Sequence, residues 1–174
     1  ADIGGKPLIQ HTYESASKSK LINNIIIAVD DKKVADIVKG FGAEVVLTPK
    51  YINTGSDRIA FVAKELKDAE IIVNIQGDEP FINFKMIDQA IEPLLFDKTI
   101  EVTTLMKHIQ TTKEMHSPDI VKVVFDYNNY ALYFSRAPIP FTRSALSDSA
   151  ALEITDYYKH IGLYVFRRNA FLQF

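Results

Sequence analysis

Ile71-Ile72-Val73-Asn74-Ile75-Gln76-Gly77-Asp78-Glu79-Pro80 is the stretch on which the fold turns. Its first half is branched and apolar with no polar alternation beyond Asn74. A strand with one wet face alternates; a continuous apolar run is what a strand needs when helices cover both of its faces, as in a parallel sheet. Ile25-Ile26-Ile27-Ala28-Val29 repeats that pattern, and Glu44-Val45-Val46-Leu47 does so more weakly. Helical patterns lie between these runs. One spans roughly Pro7 to Lys18, with Pro7 at a first-turn position. A second spans Lys32 to Gly40 and stops on a glycine. A third, Asp57 to Leu66, follows a Gly-Ser loop, and a fourth runs from Phe84 to about Leu95. Strands alternating with helices predict an open α/β sheet.

Beyond residue 120 the pattern changes. Val121 to Phe125 and Tyr130 to Phe134 are β-rich runs around Tyr127-Asn128-Asn129, which predicts a hairpin. Pro138-Ile139-Pro140 interrupts, Ser144 to Ala150 reads as an exposed loop, and His160 to Phe166 as a last strand. With no linker before it, the hairpin region reads as an extension of the sheet, so residues 1–174 are taken as a single domain.

The composition narrows the function. The 174 residues are 47% hydrophobic and 24% charged, with a net charge of −2, so no basic field is present to hold a nucleic-acid backbone. An anionic ligand must be held by a few placed cations and backbone amides. The absence of cysteine excludes disulfides and thiolate metal sites and fits a cytoplasmic protein. No apolar run reaches the length of a membrane span, and Ala1 to Lys6 do not form a signal peptide.

Candidate chemistry begins at Gln76-Gly77-Asp78-Glu79-Pro80, directly after a buried strand, where open α/β sheets bind ligands. Asp78 there is placed to hold Mg²⁺ against substrate phosphates; the competing reading is that Asp78 or Glu79 only shapes a turn. Thr54-Gly55-Ser56-Asp57-Arg58 opens a helix, where free amides attract anions and Arg58 adds a fork of donors. Equally, Ser56 or Asp57 would serve as an ordinary helix cap and Arg58 as a solvated first-turn residue. Arg136, after Ser135 and before the Pro-Ile-Pro break, has the geometry to pair with a carboxylate, unless it is a surface arginine. His160, Gly162 and Tyr164 alternate, so one face of a strand presents all three; packing is the plainer explanation. His11, His108 and His116 show no partners in the sequence. Gly4-Gly5-Lys6-Pro7 lacks the spacing of a phosphate loop.

Taken together, these segments resemble the 3-deoxy-manno-octulosonate (Kdo) cytidylyltransferases. The resembling pieces are Gly5-Lys6-Pro7-Leu8-Ile9, Asp30-Asp31 with Val34-Ala35-Asp36, Gly55-Ser56-Asp57-Arg58-Ile59-Ala60, Val73 through Pro80, Val121-Lys122-Val123-Val124, Tyr130 through Arg136, and Lys159-His160-Ile161-Gly162-Leu163-Tyr164, in the family's order. The resemblance implies a Rossmann-like, mostly parallel sheet of the nucleotide-diphospho-sugar transferase type, with a β-hairpin extension through which a homodimer pairs. It implies a cytoplasmic, Mg²⁺-dependent enzyme of lipopolysaccharide biosynthesis that transfers CMP from CTP to Kdo and releases pyrophosphate, with no nucleic-acid or membrane partner. Carried over by position, Asp78 would bind the metal. Gly55, Ser56, Arg58 and Gln76 would lie at the nucleotide, Arg58 and Asp78 taking part in catalysis. Gln76, Arg136, His160 and Tyr164 would line the sugar-acid pocket.

The departures from the family pattern set further expectations. The family opens with a strand and an Arg- and Lys-bearing loop that wraps the CTP phosphates, and closes with a Glu-Gln pair and a metal aspartate. Here Ala1 stands after the first and Phe174 before the second, and Val29 replaces a usual threonine. The sequence therefore reads as a portion of a longer protein, incomplete at both termini and inactive by itself. Two alternatives accompany this reading: an inactive or regulatory dimer module of the same fold, and a CMP transferase for a related sugar acid.

Overall fold

A computed structural model describes Asp2 to Gln173; the reading of Phe174 as part of a starting helix lies outside the described residues. In chain order the elements are β1 (Asp2–Ile3), β2 (Lys6–Pro7), α1 (Leu8–Ala16), β3 (Ile26–Val29), α2 (Lys32–Gly40), β4 (Glu44–Leu47), α3 (Gly55–Ala63), β5 (Ile71–Asn74), α4 (Phe84–Phe96), β6 (Val102–His108), α5 (Thr112–His116), β7 (Lys122–Phe125), β8 (Ala131–Ser135), α6 (Asp148–Ile154), β9 (Tyr158–Arg167) and α7 (Arg168–Phe171). The chain forms two compact units, one of residues 1–103 and 163–174, the other of residues 104–162.

In the first unit β3 and β4 pair in parallel, Ile26 against Glu44 through Val29 against Leu47. Strand β5 pairs antiparallel with the end of β9, Ile71 against Arg167 through Asn74 against Tyr164. The apolar runs bury as their pattern requires. Ile27 and Val29 pack with Ala35, Val38 and Ala43, so α2 closes over β3. Ile72 packs with Ala63 and Phe171, under α3 and α7. Helix α4 turns Ile87, Ala90, Ile91 and Leu94 inward, the i, i+3, i+4, i+7 stripe of an amphipathic helix. No helix among the described residues is long and apolar enough to cross a membrane.

The helix ends refine the sequence reading. Asp31 caps α2, accepting from the Lys33 amide at 2.7 Å. Helix α2 ends on Gly40 as read, and the left-handed residue that closes it lies two further on: Gly42 has φ +82°, and its amide donates to the Lys39 carbonyl at 3.0 Å. A left-handed residue there satisfies otherwise orphaned carbonyls, and glycine adopts it without penalty. Helix α3 is capped by Thr54, whose hydroxyl accepts from the Asp57 amide at 3.1 Å, and not by Ser56 or Asp57. Arg167 and Arg168, consecutive at the end of β9 and the start of α7, reach different helices. Arg167 donates to the Leu94 and Asp97 carbonyls at the end of α4, and Arg168 to the Ala63 and Lys64 carbonyls at the end of α3. Cations at helix C-termini meet carbonyls that the helix leaves free and the negative end of its dipole.

Gly4 and Gly5, both at positive φ, turn a tight antiparallel hairpin between β1 and β2 that the sequence reading missed; Pro7 stands as the cap of α1.

In the second unit β7 lies between β8 and the start of β9, with Val123 opposite both Phe134 and Tyr158. Asn129, φ 64°, supplies the turn of the predicted hairpin. Ile109, Met115, Ala151 and Tyr157 form the unit's buried cluster. Residues 148–150, read as loop, instead open α6, which Ser147 caps by accepting from the Ala150 amide at 3.2 Å. The histidines without visible partners in the sequence have them in the fold. His11 meets the Ile3 carbonyl at 2.8 Å, His108 pairs with Asp156 at 3.1 Å, and His116 pairs with Asp148 at 2.9 Å.

Candidate functional site

The first unit brings the loop that opens α3 against the turn that follows β5. A Cβ built on Gly55 would stand 3.4 Å from the Gln76 side-chain oxygen, so glycine at the helix start lets the Gln76 amide lie directly against the backbone. Gln76 is held from behind: its side-chain nitrogen donates to the side-chain oxygen Oδ1 of buried Asn74 at 3.0 Å. The turn itself is fixed by the Glu79 amide on the Gln76 carbonyl at 3.2 Å and by the Thr12 hydroxyl on the Gly77 carbonyl, also at 3.2 Å. These bonds hold the backbone of the Gln-Gly-Asp turn. Asp78 is exposed on that rigid turn, and among the described residues its carboxylate forms no hydrogen bond or ion pair. Ser56 is likewise exposed, on the first turn of α3.

Arg58 is neither solvated nor open. Its guanidinium reaches the Asp30 carboxylate at 2.7 Å, the Ile52 carbonyl at 3.1 Å and the Thr48 hydroxyl. Thr48 is itself buried and donates to the Val29 carbonyl at 3.0 Å. One arginine therefore ties the C-terminal ends of β3 and β4 to the first turn of α3, on the side of the sheet where open α/β folds bind ligands. The sequence signal for this was present in Asp30 and Thr48, each one residue past a strand.

Tyr164 sits on β9 opposite Asn74, stacked on Phe166 at 5.9 Å between ring centroids. Burial raises its phenol pKa. The strand beside Asn74 thus carries a tyrosine held in its neutral form.

The second unit carries Arg136 and His160. Arg136 is exposed just past β8, and its Nη1 donates to the Pro118 carbonyl at 2.6 Å. The His160 ring meets the edge of Phe134 at 5.0 Å between centroids. Its Nε2 lies 2.8 Å from the Thr104 hydroxyl, which also lies 3.1 Å from the Ile161 carbonyl. Burial lowers the His160 pKa, which keeps the imidazole neutral near pH 7. Gly162 leaves open space where a Cβ would stand.

Among the described residues no group of three His, Cys, Asp or Glu side chains is placed to hold a metal. A lone, unengaged carboxylate on a fixed turn still fits Mg²⁺ of the substrate-borne kind, which keeps waters and takes one or two carboxylates plus phosphate oxygens.

Against known proteins, residues 1–174 match the family described as Cytidylyltransferase. The 3-deoxy-manno-octulosonate cytidylyltransferase of Geobacter sulfurreducens is 46% identical over 100% of this chain and 71% of its own length. This chain belongs to the 3-deoxy-manno-octulosonate cytidylyltransferase family. The enzyme of the same name from Geotalea uraniireducens is 47% identical, again over 100% of this chain and 70% of its own. A solved structure of CMP:2-keto-3-deoxy-manno-octonic acid synthetase complexed with CTP superposes with a TM-score of 0.89 at 36% identity, covering 98% of this chain and 67% of that one. The fold is thus the α/β fold of the nucleotide-diphospho-sugar transferases. The 4-diphosphocytidyl-2C-methyl-D-erythritol synthase of Anaerococcus prevotii shares the fold alone, with a TM-score of 0.58 at 15% identity.

Proposed function

We propose that the protein to which this cytidylyltransferase chain belongs transfers CMP from CTP to Kdo, giving CMP-Kdo and pyrophosphate for lipopolysaccharide assembly in the cytoplasm. The observation that carries the reading is the 46% identity over the whole chain to a curated enzyme of that name, and the likeness to a CTP-complexed synthetase supports the donor.

The chemistry asks for positioning and charge neutralisation more than for a covalent partner. Asp78 would hold Mg²⁺, which when bound neutralises developing charge on the phosphates. Gly55 and Ser56 present first-turn amides of α3 to the nucleotide, and Gln76, pinned by Asn74, offers its remaining amide groups to nucleotide or sugar. Arg58 serves the same site by holding the α3 loop to Asp30 and Thr48. Arg136 faces the sugar acid's carboxylate, and neutral His160 of the same unit supplies a hydrogen bond to one of its hydroxyls. The test is product identification. Full-length protein with CTP, Mg²⁺ and Kdo is expected to form a CMP-linked product; CTP left intact would favour an inactive module of the same fold.

We propose further that the protein is a homodimer paired through the β7–β8 hairpin. Tyr130, Leu132, Tyr133 and Phe134 are all exposed there, with Leu132 66% accessible. That is more apolar surface than a hairpin keeps open to water without a partner. The full-length protein is expected to sediment as a dimer at tens of micromolar, about the range in which a specific interface holds. A monomer at that concentration would remove the assignment.

A further inference from the structure

Lys122 lies on β7 with no exposed surface at all. Its ammonium donates to three backbone carbonyls, those of Ser117 at 2.8 Å, Ile120 at 2.9 Å and Arg136 at 2.6 Å. Among the described residues no carboxylate pairs with it. A buried cation without a counter-charge is costly, and here three backbone carbonyls stand in place of the missing carboxylate. Packing alone therefore does not account for a lysine here.

Its acceptors are the clue. Two belong to the segment 117–121 and the third is Arg136 itself, the residue just past β8. The Arg136 guanidinium closes the circuit by donating to Pro118 in that same segment at 2.6 Å. All the bonds lie within one compact unit. Lys122 thus fixes the carbonyl of Arg136 and the loop on which the Arg136 side chain leans.

We propose that Lys122 is a positioning residue for Arg136, setting the point from which the guanidinium projects and adding a second, buried positive charge behind it, so that the pair together recognises the carboxylate of the sugar acid. The proposal rests on the reading of Arg136 given above. Burial first, and the charge of Arg136 second, lower the pKa of the ammonium. The two cations strain against each other, and an anion bound at Arg136 relieves both.

The test is a double-mutant cycle on the full-length protein, with steady-state kinetics for Kdo and CTP. Lys122→Met is expected to raise KM for Kdo about tenfold while changing KM for CTP less than about twofold, and to add little when placed on Arg136→Ala. A merely structural lysine would lower both affinities or kcat alike. If Arg136→Ala raises KM for Kdo but folded Lys122→Met does not, or if the two effects simply add, the positioning role falls while the reading of Arg136 stands. If Arg136→Ala leaves KM for Kdo unchanged, the underlying reading fails first. Should Lys122→Met not fold, Lys122→Gln keeps a donor for the carbonyls but no charge. It is expected to fold and to show the same selective loss, and wild-type Kdo affinity in that variant overturns the proposal.

Discussion

Asp78→Asn in the full-length protein is expected to lower Mg²⁺-dependent turnover by roughly a thousandfold, while thermal unfolding stays close to wild type. The size follows from the several kcal/mol that a metal contributes by neutralising charge on transferring phosphates, at about 1.4 kcal/mol for each tenfold in rate. The intact fold follows from the structure. Asp78 is exposed and, among the described residues, supports no hydrogen bond; the turn is held instead by the Thr12 hydroxyl on Gly77 and the Glu79 amide on Gln76. Asparagine keeps the shape and one acceptor oxygen but loses the charge, so the change reads the metal and little else. Turnover within a few-fold of wild type, in a folded variant, would return Asp78 to the role of a turn former.

The second large effect belongs to Arg136. Arg136→Lys is expected to raise KM for the sugar acid ten- to a hundredfold, about the loss of one charge-assisted pair of 1.5–3 kcal/mol, with KM for CTP nearly unchanged. Lysine keeps the charge but not the planar fork, and one arm of that fork is already committed to the Pro118 carbonyl at 2.6 Å. A lysine would have to choose between the loop and the ligand. Loss of CTP affinity with the sugar acid unaffected would move Arg136 to the nucleotide; no change in either would make it a surface residue.

Much of this was legible because buried strands write themselves plainly. Ile25–Val29 and Ile71–Ile75 became β3 and β5 within a residue, since unbroken branched side chains have few other places to go. Helix α2 matched its reading at both ends because a capping Asp31 and the glycine near its close are local signals. What the sequence hid was set by distant partners. Arg58 reads as a solvated first-turn residue until the fold brings Asp30 and Thr48 to it from the ends of β3 and β4. His108 and His116 find Asp156 and Asp148 across 48 and 32 residues. Lys122, in a β-rich run, gives no sign that it is buried; its acceptors are backbone carbonyls, which carry no side-chain signature. The β1–β2 hairpin was missed for a different reason, since two-residue strands leave no periodicity to read.

The central claim is the identity of the acceptor. Pyrophosphate release by the full-length protein, with CTP and Mg²⁺ and a panel of sugar acids supplied one at a time, tests it most directly. The account predicts release that depends on both Mg²⁺ and Kdo, with the highest kcat/KM for Kdo and only background release without an acceptor. Equal or greater kcat/KM for a sialic acid or an amino-sugar analogue, or no release with any of them, would contradict it.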